Sequence, residues 1–223
     1  MPYSTARPLI LPNNNAMVKI KICGMTDIDN VSKILFLKPD YLGFIFYPKS
    51  PRYVVGSLKP EMLSIIPSRV HRVGLFVNAS ETEIRQTAQT WGLQTIQMHG
   101  DEPPSLCKAI HDAGFEVIKA FHNETDREFE NVSEYAECAD YYLFDTKSAS
   151  YGGSGQGFDW QLILRQPIRK PWFVAGGIGP DNIEEAAQCG AYAIDLNSRF
   201  EISPGIKDYD ILRESIGRIK NKK

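Results

Sequence analysis

The sequence predicts an α/β fold, a single (β/α)8 TIM barrel, and three observations lead to that class. From residue 18 onward, short apolar runs alternate with longer segments of helical spacing, and eight such pairs can be counted. Several of the apolar runs are nearly continuous, as expected of parallel strands covered on both faces. A chain of 223 residues with 43% hydrophobic content can also bury one large core. Barrels of this class usually have about 250 residues, and a doubly wound open sheet is the alternative.

The predicted elements alternate strictly along the chain. The strands span residues 18–22, 41–46, 71–77, 94–98, 116–120, 140–144, 172–175 and 191–195. The helices span residues 27–37, 58–66, 80–91, 103–113, 126–136, 159–164, 180–189 and 208–219. Asp27 and Ser80 can cap the helices that they begin, and Pro103 and Pro180 suit a first helical turn. Residues 1–16 contain three prolines and no periodicity, so we expect a disordered extension before a barrel domain at residues 17–223.

Composition excludes several classes of partner and site. The net charge of -2 and the pI near 6.1 provide no basic field for a nucleic acid backbone. No run approaches the roughly 20 apolar residues of a membrane span, and residues 1–16 lack the apolar core of a secretion signal, so we expect a cytoplasmic protein. The four cysteines form no C-x-x-C pair, which argues for free thiols and against a thiolate metal site.

A thiol and a carboxylate follow the first and the sixth predicted strands. In a barrel, the segments after each strand meet on one face, where the sites of this fold lie. Cys23 can act as a general base if its surroundings favour the thiolate, and Lys21 points to the same side of the strand. Asp145 can act as a general acid if burial or a neighbouring charge keeps it protonated. The alternatives are a small hydrophobic residue at a strand end for Cys23 and a cap or turn residue for Asp145.

Two loops on the same face have the character of a phosphate site. Gly176 and Gly177 follow the seventh strand, and Asn197, Ser198 and Arg199 follow the eighth. Loops after these two strands form the recurrent phosphate site of the fold, and glycines allow backbone N–H groups to approach phosphate oxygens. Tight turns at the two glycines are the alternative interpretation.

Three further candidates come from other strand ends. Arg52, in a proline-stiffened loop after the second strand, could hold a carboxylate bidentately or lie in a solvated basic loop. His99, after the fourth strand, could line the pocket or fill space beneath it. The segment 151–157, which includes Gly155, is too rich in glycine for an ordinary connection and suits a loop that closes over substrate, although a mobile surface loop is the alternative.

An ordered set of motifs resembles the phosphoribosylanthranilate isomerase family of tryptophan biosynthesis. The set comprises KIKICGMT at residues 19–26, GFIFYPKSPRY at 43–53, QMHG at 97–100, FDTK at 144–147, YGGSGQGFDW at 151–160 and PGIKD at 204–208. The resemblance runs from about residue 18 to the C-terminus. It implies a (β/α)8 barrel that rearranges N-(5-phosphoribosyl)anthranilate to 1-(2-carboxyphenylamino)-1-deoxyribulose 5-phosphate without a metal or organic cofactor.

The resemblance also implies roles for the candidate residues. Asp145 would protonate the furanose ring oxygen, and Cys23 would then take the proton from sugar C2. Arg52 would bind the anthranilate carboxylate. The phosphate would be held by Gly176, Gly177, Ser198 and the backbone of residue 199. We also expect substrate contacts from Lys21, His99, Gly155, Asn197 and Arg199. One departure stands out, because many family members have Ser-Ser-Gly where this chain has Asn197, Ser198 and Arg199.

Two other functions are compatible with a phosphate-binding barrel. The analogous isomerase of histidine biosynthesis performs the same rearrangement on a two-phosphate substrate. That family has a pair of aspartates at the two catalytic positions, whereas this chain has Cys23 and Asp145. A non-enzymatic barrel that senses a phosphorylated metabolite is the second. The sequence leaves open whether the protein is a monomer or a homodimer, because the outer helices of a barrel can face solvent or a second copy.

Overall fold

Eight parallel strands pair in chain order and close into a barrel, because β8 pairs with β1 as well as with β7. The structure is a computed structural model, and it describes residues 17–122, 131–145, 163 and 168–220. Closure confirms the predicted barrel and excludes the open sheet. The strands are β1 Lys19–Ile22, β2 Tyr41–Ile45, β3 His71–Phe76, β4 Thr95–Met98, β5 Glu116–His122, β6 Tyr141–Asp145, β7 Trp172–Ala175 and β8 Ala193–Leu196.

Five α-helices in the described part of the chain pack around the barrel. They are α1 Ile28–Leu35, α2 Glu81–Trp91, α3 Pro104–Asp112, α4 Ile183–Gln188 and α5 Tyr209–Lys220. The two predicted side-chain caps are present, since Asp27 accepts from the Asn30 N–H at 2.7 Å and Ser80 accepts from the Glu83 N–H at 3.2 Å. Pro103 lies one position before α3, and α4 begins three residues after Pro180.

Two segments predicted as α-helices contain 3₁₀ turns instead. Pro60–Ile65 is a 3₁₀ helix, and so is Val132–Tyr135 within the described part of the segment 126–136. At the first of these, Ile66 has extended backbone angles, because Pro67 disfavours the helical conformation of the residue before it. Of the predicted helix 159–164, only residue 163 lies within the described residues, and the predicted extension 1–16 lies outside them. Both therefore stay predictions.

A short hairpin after β8 was not predicted. A 3₁₀ turn at Ser198–Phe200 leads into β9, Glu201–Ser203, which pairs antiparallel with β10, Ile206–Lys207. The hairpin docks on the loop between β1 and α1, where the Thr26 N–H donates to the Gly205 carbonyl at 3.3 Å. Gly205 has φ of +89°, and a Cβ there would overlap the Thr26 side chain, so this contact requires glycine. The hairpin brings Glu201 and Lys207 toward the end of β1.

The interior of the barrel is apolar at one end and polar at the other. At the amino ends of the strands, aromatic rings fill the space: Phe173 packs edge to face against Tyr41 at 5.3 Å and against Tyr141 at 5.5 Å. The Tyr41 and Tyr192 hydroxyls lie 3.2 Å apart. Toward the carboxyl ends, the same strands bury polar groups, and the candidate site residues lie at this end. The larger apolar core lies between the barrel and the helices.

Candidate active site

Cys23 lies buried at the carboxyl end of β1, with its thiol against β2. A Cβ at Gly43 would lie 2.7 Å from the Cys23 Sγ atom, so the missing side chain at Gly43 makes room for the thiol. Burial raises the pKa of Cys23, and the Asp195 charge raises it further, while Lys21 and Lys207 act in the opposite direction. The predicted help from Lys21 is therefore present but does not outweigh burial. Cys23 is therefore a thiol at neutral pH.

Lys21 is fully buried below Cys23 and forms an ion pair that sequence reasoning missed. Its Nζ atom lies 2.6 Å from the Asp195 Oδ2 atom, and the two residues are register partners in the pairing of β1 with β8. Burial acts to lower the pKa of Lys21, but Asp195 and Cys23 hold it above its ordinary value. The ammonium thus stays charged inside the barrel. The signal for Asp195 in the sequence was a carboxylate at an inward-facing position of the eighth strand.

Asp145 ends β6 beside two histidines, one that follows β4 and one that ends β5. The His99 Nε2 atom lies 3.3 Å from its Oδ2 atom, and His122 is its register partner in β5. The two imidazole rings meet edge to face at 4.9 Å, and His122 Nε2 lies 3.1 Å from the His99 carbonyl oxygen. Burial acts to raise the pKa of Asp145, but the hydrogen bond from His99 and the charges of His99, His122 and Lys21 hold it below the ordinary value. Asp145 is therefore a carboxylate at neutral pH.

A chain of hydrogen bonds continues from Asp145 into the barrel. The Gln97 Nε2 atom lies 2.9 Å from the His99 Nδ1 atom, and Gln97 is completely buried. His99, His122 and Asp145 offer nitrogen and oxygen atoms within 4.8 Å of one another. The His99 and Asp145 atoms are already bonded to each other, and His122 is bonded to the His99 backbone, so we interpret the group as a hydrogen-bonded chain and not as a set of metal ligands.

Arg52 lies beside the Cys23 loop and already holds a carboxylate of the protein. Its Nε and Nη2 atoms donate to both oxygens of Glu201 at 2.6–3.0 Å. Lys207 Nζ lies 2.6 Å from the same carboxylate and 2.8 Å from the Asn197 Oδ1 atom. Burial acts to raise the pKa of Glu201, but Arg52 and Lys207 hold it below its ordinary value. Two cations and one carboxylate therefore give this corner of the face an excess positive charge.

The loops after β7 and β8 are tied together by side chains. Gly176 and Gly177 have φ of +85° and +61°, which glycine adopts without strain. Asn182 accepts from the Gly179 N–H at 2.7 Å and donates to the Gly177 carbonyl at 3.1 Å. These contacts fix the loop in one conformation on the same end of the barrel as Cys23. The glycine pair therefore lies on a preformed turn.

Arg199 lies against the loop after β7. It donates to the Gly177 carbonyl at 3.0 Å and pairs with Asp181 at 2.8 Å. A Cβ at Gly179 would lie 2.5 Å from the Arg199 Cζ atom, so the guanidinium occupies the space that this glycine leaves. Ser198 is exposed at the start of the 3₁₀ turn. The arginine that departs from the family pattern thus joins two loops.

Comparison with known proteins identifies the family. The family model described as N-(5'phosphoribosyl)anthranilate (PRA) isomerase matches residues 20–218. The chain belongs to this family. Similar relatives are the N-(5'-phosphoribosyl)anthranilate isomerases of Phocaeicola vulgatus, 38% identical over 91% of this chain and 98% of that protein, and of Parabacteroides distasonis, 38% identical over 90% and 92%.

Solved structures of the family share the fold. The phosphoribosyl anthranilate isomerase of Thermotoga maritima is 37% identical, with a TM-score of 0.80 over 92% of this chain and 99% of that one. A phosphoribosyl anthranilate isomerase in complex with reduced 1-(o-carboxyphenylamino)-1-deoxyribulose 5-phosphate is 34% identical, with a TM-score of 0.78 over the same shares. The family resemblance drawn from the motifs is therefore confirmed. Among the described residues, the helices are too short or too polar to cross a bilayer.

Most of the candidate isomerase residues come together at one end of the barrel. The candidates that lie at or after the carboxyl ends of their strands are Lys21, Cys23, Arg52, His99, Asp145, Gly176, Gly177, Asn197, Ser198 and Arg199. Gly155 and the rest of the glycine-rich segment lie outside the described residues. Sequence reasoning missed Gln97, Asp195, Glu201 and Lys207. Gln97 and Lys207 lie within the motifs QMHG and PGIKD, but the motifs alone do not indicate which groups these two side chains contact.

Proposed function

We propose that this chain rearranges N-(5'-phosphoribosyl)anthranilate to 1-(2-carboxyphenylamino)-1-deoxyribulose 5-phosphate, with Asp145 as general acid and Cys23 as general base. One observation carries the assignment of roles. The thiol and the carboxylate end β1 and β6 of the same closed barrel, and the buried Lys21 ammonium interacts electrostatically with both. An acid and a base held at one mouth, with anion sites beside them, supply positioning as well as proton transfer.

The first step opens the sugar. Asp145 gives its proton to the furanose ring oxygen, the bond between that oxygen and C1 breaks, and the anilino nitrogen forms the C1 Schiff base. The histidines and Lys21 act to keep Asp145 ionised. A substrate that carries a phosphate and a carboxylate adds negative charge and excludes water, and both effects raise the pKa of a carboxyl group. We therefore expect Asp145 to take up its proton as the substrate binds.

The second step moves a proton from carbon. The Cys23 thiol first gives its proton to solvent, and the thiolate then takes the proton from C2 of the Schiff base, which gives an enolamine that tautomerises to the ketone. The cationic imine withdraws electrons from C2 and acidifies this proton. Lys21 and Lys207 both act to lower the pKa of Cys23, so they stabilise the thiolate once it forms. The reaction needs no oxidant, and we propose that it uses no metal or organic cofactor.

The two ends of the substrate have separate anchors in this proposal. Arg52 binds the anthranilate carboxylate, and Glu201 fixes the plane of its guanidinium. Gly176, Gly177, Ser198 and the backbone of residue 199 bind the phosphate through N–H and hydroxyl donors. Lys21, His99, Gly155 and Asn197 complete the proposed contacts. Arg199 acts by joining the loops of the phosphate site, because Gly177 and Asp181 already occupy its guanidinium.

Loss of anthranilate fluorescence as substrate is consumed tests the activity and the two roles. We expect Cys23→Ala and Asp145→Asn each to lower kcat by about 10²–10⁴-fold, the usual contribution of general acid–base catalysis. Cys189→Ala and Asp112→Asn are matched controls, because Cys189 is buried at the end of α4 and Asp112 pairs with Lys108 on the surface. Both controls should retain normal turnover.

Three outcomes would contradict the proposal. A near-normal rate in either site variant would remove that residue from its role. Turnover of the two-phosphate substrate of histidine biosynthesis alone would favour the analogous isomerase. Binding of a phosphorylated sugar without turnover would favour a metabolite sensor.

Three predictions from the sequence remain proposals. They are a cytoplasmic location, a monomeric or homodimeric state, and the division into an extension at residues 1–16 and a barrel domain at residues 17–223. The solved relatives include mutually generated monomers of the dimeric isomerase of Thermotoga maritima. Sedimentation velocity would measure the oligomeric state of this chain, and the intact mass of the native protein would show whether the extension is translated.

A further inference from the structure

Glu201 is a nearly enclosed carboxylate at the proposed anchor for the anthranilate carboxylate. Its side chain is 4% exposed and accepts from the Nε and Nη2 atoms of Arg52 at 2.6–3.0 Å. It also accepts from Lys207 Nζ at 2.6 Å and from the Gly205 N–H at 3.1 Å. Orientation of a guanidinium needs only a carboxylate, whereas this carboxylate also joins Arg52 to a second, completely enclosed cation. The composition of the cluster therefore indicates a role in charge balance.

The cluster of Arg52, Glu201 and Lys207 has one net positive charge. Arg52 and Lys207 hold the pKa of Glu201 below its ordinary value, so the carboxylate is ionised at neutral pH. Burial lowers the pKa of Lys207, but the adjacent Glu201 acts against this loss, and the two form an ion pair at 2.6 Å. The nearby pair of Lys21 and Asp195 contributes no net charge. A ligand at this corner therefore meets a single uncompensated positive charge.

Arg52 presents that charge beside the loop that begins at Cys23. Glu201 occupies the guanidinium edge formed by Nε and Nη2, so the edge formed by Nη1 and the second hydrogen of Nη2 is left for a ligand. A Cβ at Gly24 would lie 2.6 Å from the Arg52 Cδ atom, so the arginine stem packs directly on the residue after Cys23. The Arg52 side chain is 18% exposed, more than Glu201 or Lys207. Of the three side chains, Arg52 is therefore the one that can touch substrate.

Lys207 serves the reacting end of the substrate in the proposed mechanism. Its charge acts to lower the pKa of Cys23 and thereby stabilises the thiolate that takes the proton from C2. Its Nζ atom also lies 2.8 Å from the Asn197 Oδ1 atom. Without Glu201, the same charge would add to that of Arg52 at the edge left for the ligand. The carboxylate keeps the two cations close to Cys23 and still limits the charge at that edge.

Two classes of anion differ in how well they match one positive charge. A carboxylate has one negative charge, whereas a phosphate monoester has about 1.5–2 near neutral pH. Charges in a partly enclosed site interact more strongly than in water, so an unmatched charge lowers affinity. One positive charge suits the carboxylate of the anthranilate ring. A phosphate at the same position would leave excess negative charge beside Glu201.

We propose that Glu201 is a specificity-determining residue, whose charge offsets that of Lys207 and makes the Arg52 subsite select a carboxylate over a phosphate. The inference rests on the proposed function, because it takes Arg52 as the group that receives the anthranilate carboxylate. It extends that function to the exclusion of two-phosphate sugars. Specificity is a difference between two affinities, and a carboxylate beside the subsite acts against the wrong ligand.

Two probes with the same sugar 5-phosphate measure this preference. The first is the reduced product of the proposed reaction, which has a carboxyphenylamino group on C1. The second is ribulose 1,5-bisphosphate, which has a phosphate on C1. Isothermal titration calorimetry gives both dissociation constants without turnover. We define the carboxylate preference as the dissociation constant of the bisphosphate divided by that of the reduced product, so that changes at the shared 5-phosphate cancel.

Three variants change the charge of the cluster in different directions. Glu201→Gln adds one positive charge and should lower the carboxylate preference by about tenfold. Lys207→Met removes one positive charge and should raise the preference. The double variant restores the net charge and should return the preference to within about threefold of wild type. Glu214→Gln changes the charge of the whole protein as much as Glu201→Gln does, but on the exposed surface of α5, and should leave the preference unchanged.

Circular dichroism establishes that each variant is folded at the temperature of the titration. A Glu201→Gln variant that bound both probes more weakly by the same factor would show that Glu201 only orients Arg52, and it would overturn the inference. A double variant that kept the preference of Glu201→Gln would overturn it as well, because charge would not be the cause. If Glu201→Gln did not fold, an unchanged preference in Lys207→Met would be equally decisive against the inference.

The failure of this inference and the failure of the proposed function give different results. If the wild-type protein did not convert N-(5'-phosphoribosyl)anthranilate, the proposed function would fail whatever the probes showed. If it did convert that substrate while the preference did not follow the charge of the cluster, only the inference about Glu201 would fail.

Discussion

The two ends of the barrel interior are built from the same strands, but one end buries aromatic rings and the other buries polar and charged groups. At the amino ends, Tyr41, Tyr141 and Phe173 fill the space with rings, and burial raises the pKa of both tyrosines so that they stay neutral. At the carboxyl ends, Lys21 and Asp195 are charged or polar although equally enclosed. The strand β6 contributes to both, with Tyr141 at one end and Asp145 at the other.

Along the strands, the residues that stabilise the fold therefore lie at the amino ends, and the residues proposed to carry out the chemistry lie at the carboxyl ends. The rings at the amino end are held by shape complementarity and by the contact between the Tyr41 and Tyr192 hydroxyls. Buried ions are costly unless paired, and the Lys21–Asp195 pair lies below Cys23, which is proposed to act on substrate. A substitution at one end should therefore change the free energy of unfolding, and a substitution at the other should chiefly change turnover.

The amino end should give the largest loss of stability. Phe173→Ala removes a fully buried ring that contacts three tyrosines. We expect the free energy of unfolding to fall by about 3–5 kcal/mol, as for other buried phenylalanines. Urea denaturation measures this loss. The kcat of the folded fraction should stay within about threefold of wild type, and Phe173→Leu should lose less stability because it keeps most of the volume.

A large loss of kcat in folded Phe173→Ala would break the comparison, because it would show that the aromatic layer positions the site above it.

The carboxyl end should also contain one cluster that contributes to stability. Glu201→Gln keeps the shape of the side chain but leaves Arg52 and the buried Lys207 without their shared carboxylate. Removing one partner of a buried pair is costly, so we expect the free energy of unfolding at pH 7 to fall by about 3 kcal/mol, at the lower end of the range because the Arg52 side chain is partly exposed.

The pH dependence of that loss has a definite sign. The folded protein holds the pKa of Glu201 below its ordinary value. The stabilisation is therefore complete above the ordinary glutamate range and is lost as pH falls through the lower, folded-state value. Urea denaturation of wild type and Glu201→Gln should give curves that differ at pH 7 and converge in acid. A difference independent of pH would contradict the ionic origin. Glu214→Gln, on the exposed surface of α5, is the control.

The smallest effect is expected at Arg199. Because its guanidinium is bonded to Gly177 and Asp181, we expect Arg199→Gly to change KM by less than about threefold. The change should not depend on salt between low and physiological ionic strength. Steady-state kinetics at several salt concentrations measures both, and Arg199→Ala separates loss of the side chain from the added backbone freedom of glycine. A large rise in KM that shrinks with added salt would instead support direct phosphate binding.

The sequence predicted the parts of the molecule that repeat. Alternation of apolar runs and helical segments was enough for eight strands, because each strand buried on both faces leaves a continuous apolar signal. The same alternation places Cys23 and Asp145 at strand ends. The 3₁₀ turn at Pro60–Ile65 was wrongly predicted as an α-helix, since apolar spacing alone does not distinguish the two.

The remainder depends on contacts that are distant in sequence. The strands of the hairpin at Glu201–Ser203 and Ile206–Lys207 are too short for any periodicity to show. Lys21 and Asp195 pair only because the barrel closes. The direction of a pKa is also beyond the sequence, since burial and charge oppose each other at Cys23 and at Asp145, and the outcome differs between the two.

The pairing of β1 with β8 also orders events during synthesis. Lys21 and Asp195 are separated by 174 positions, so the ammonium below Cys23 meets its partner only after nearly the whole chain has left the ribosome. Until then, β1 is an unpaired edge on one side, and its lysine is hydrated. Contacts so distant in sequence are expected to form late and slowly. A nascent or truncated chain that lacks β8 should therefore contain both proposed catalytic residues and yet have no assembled site.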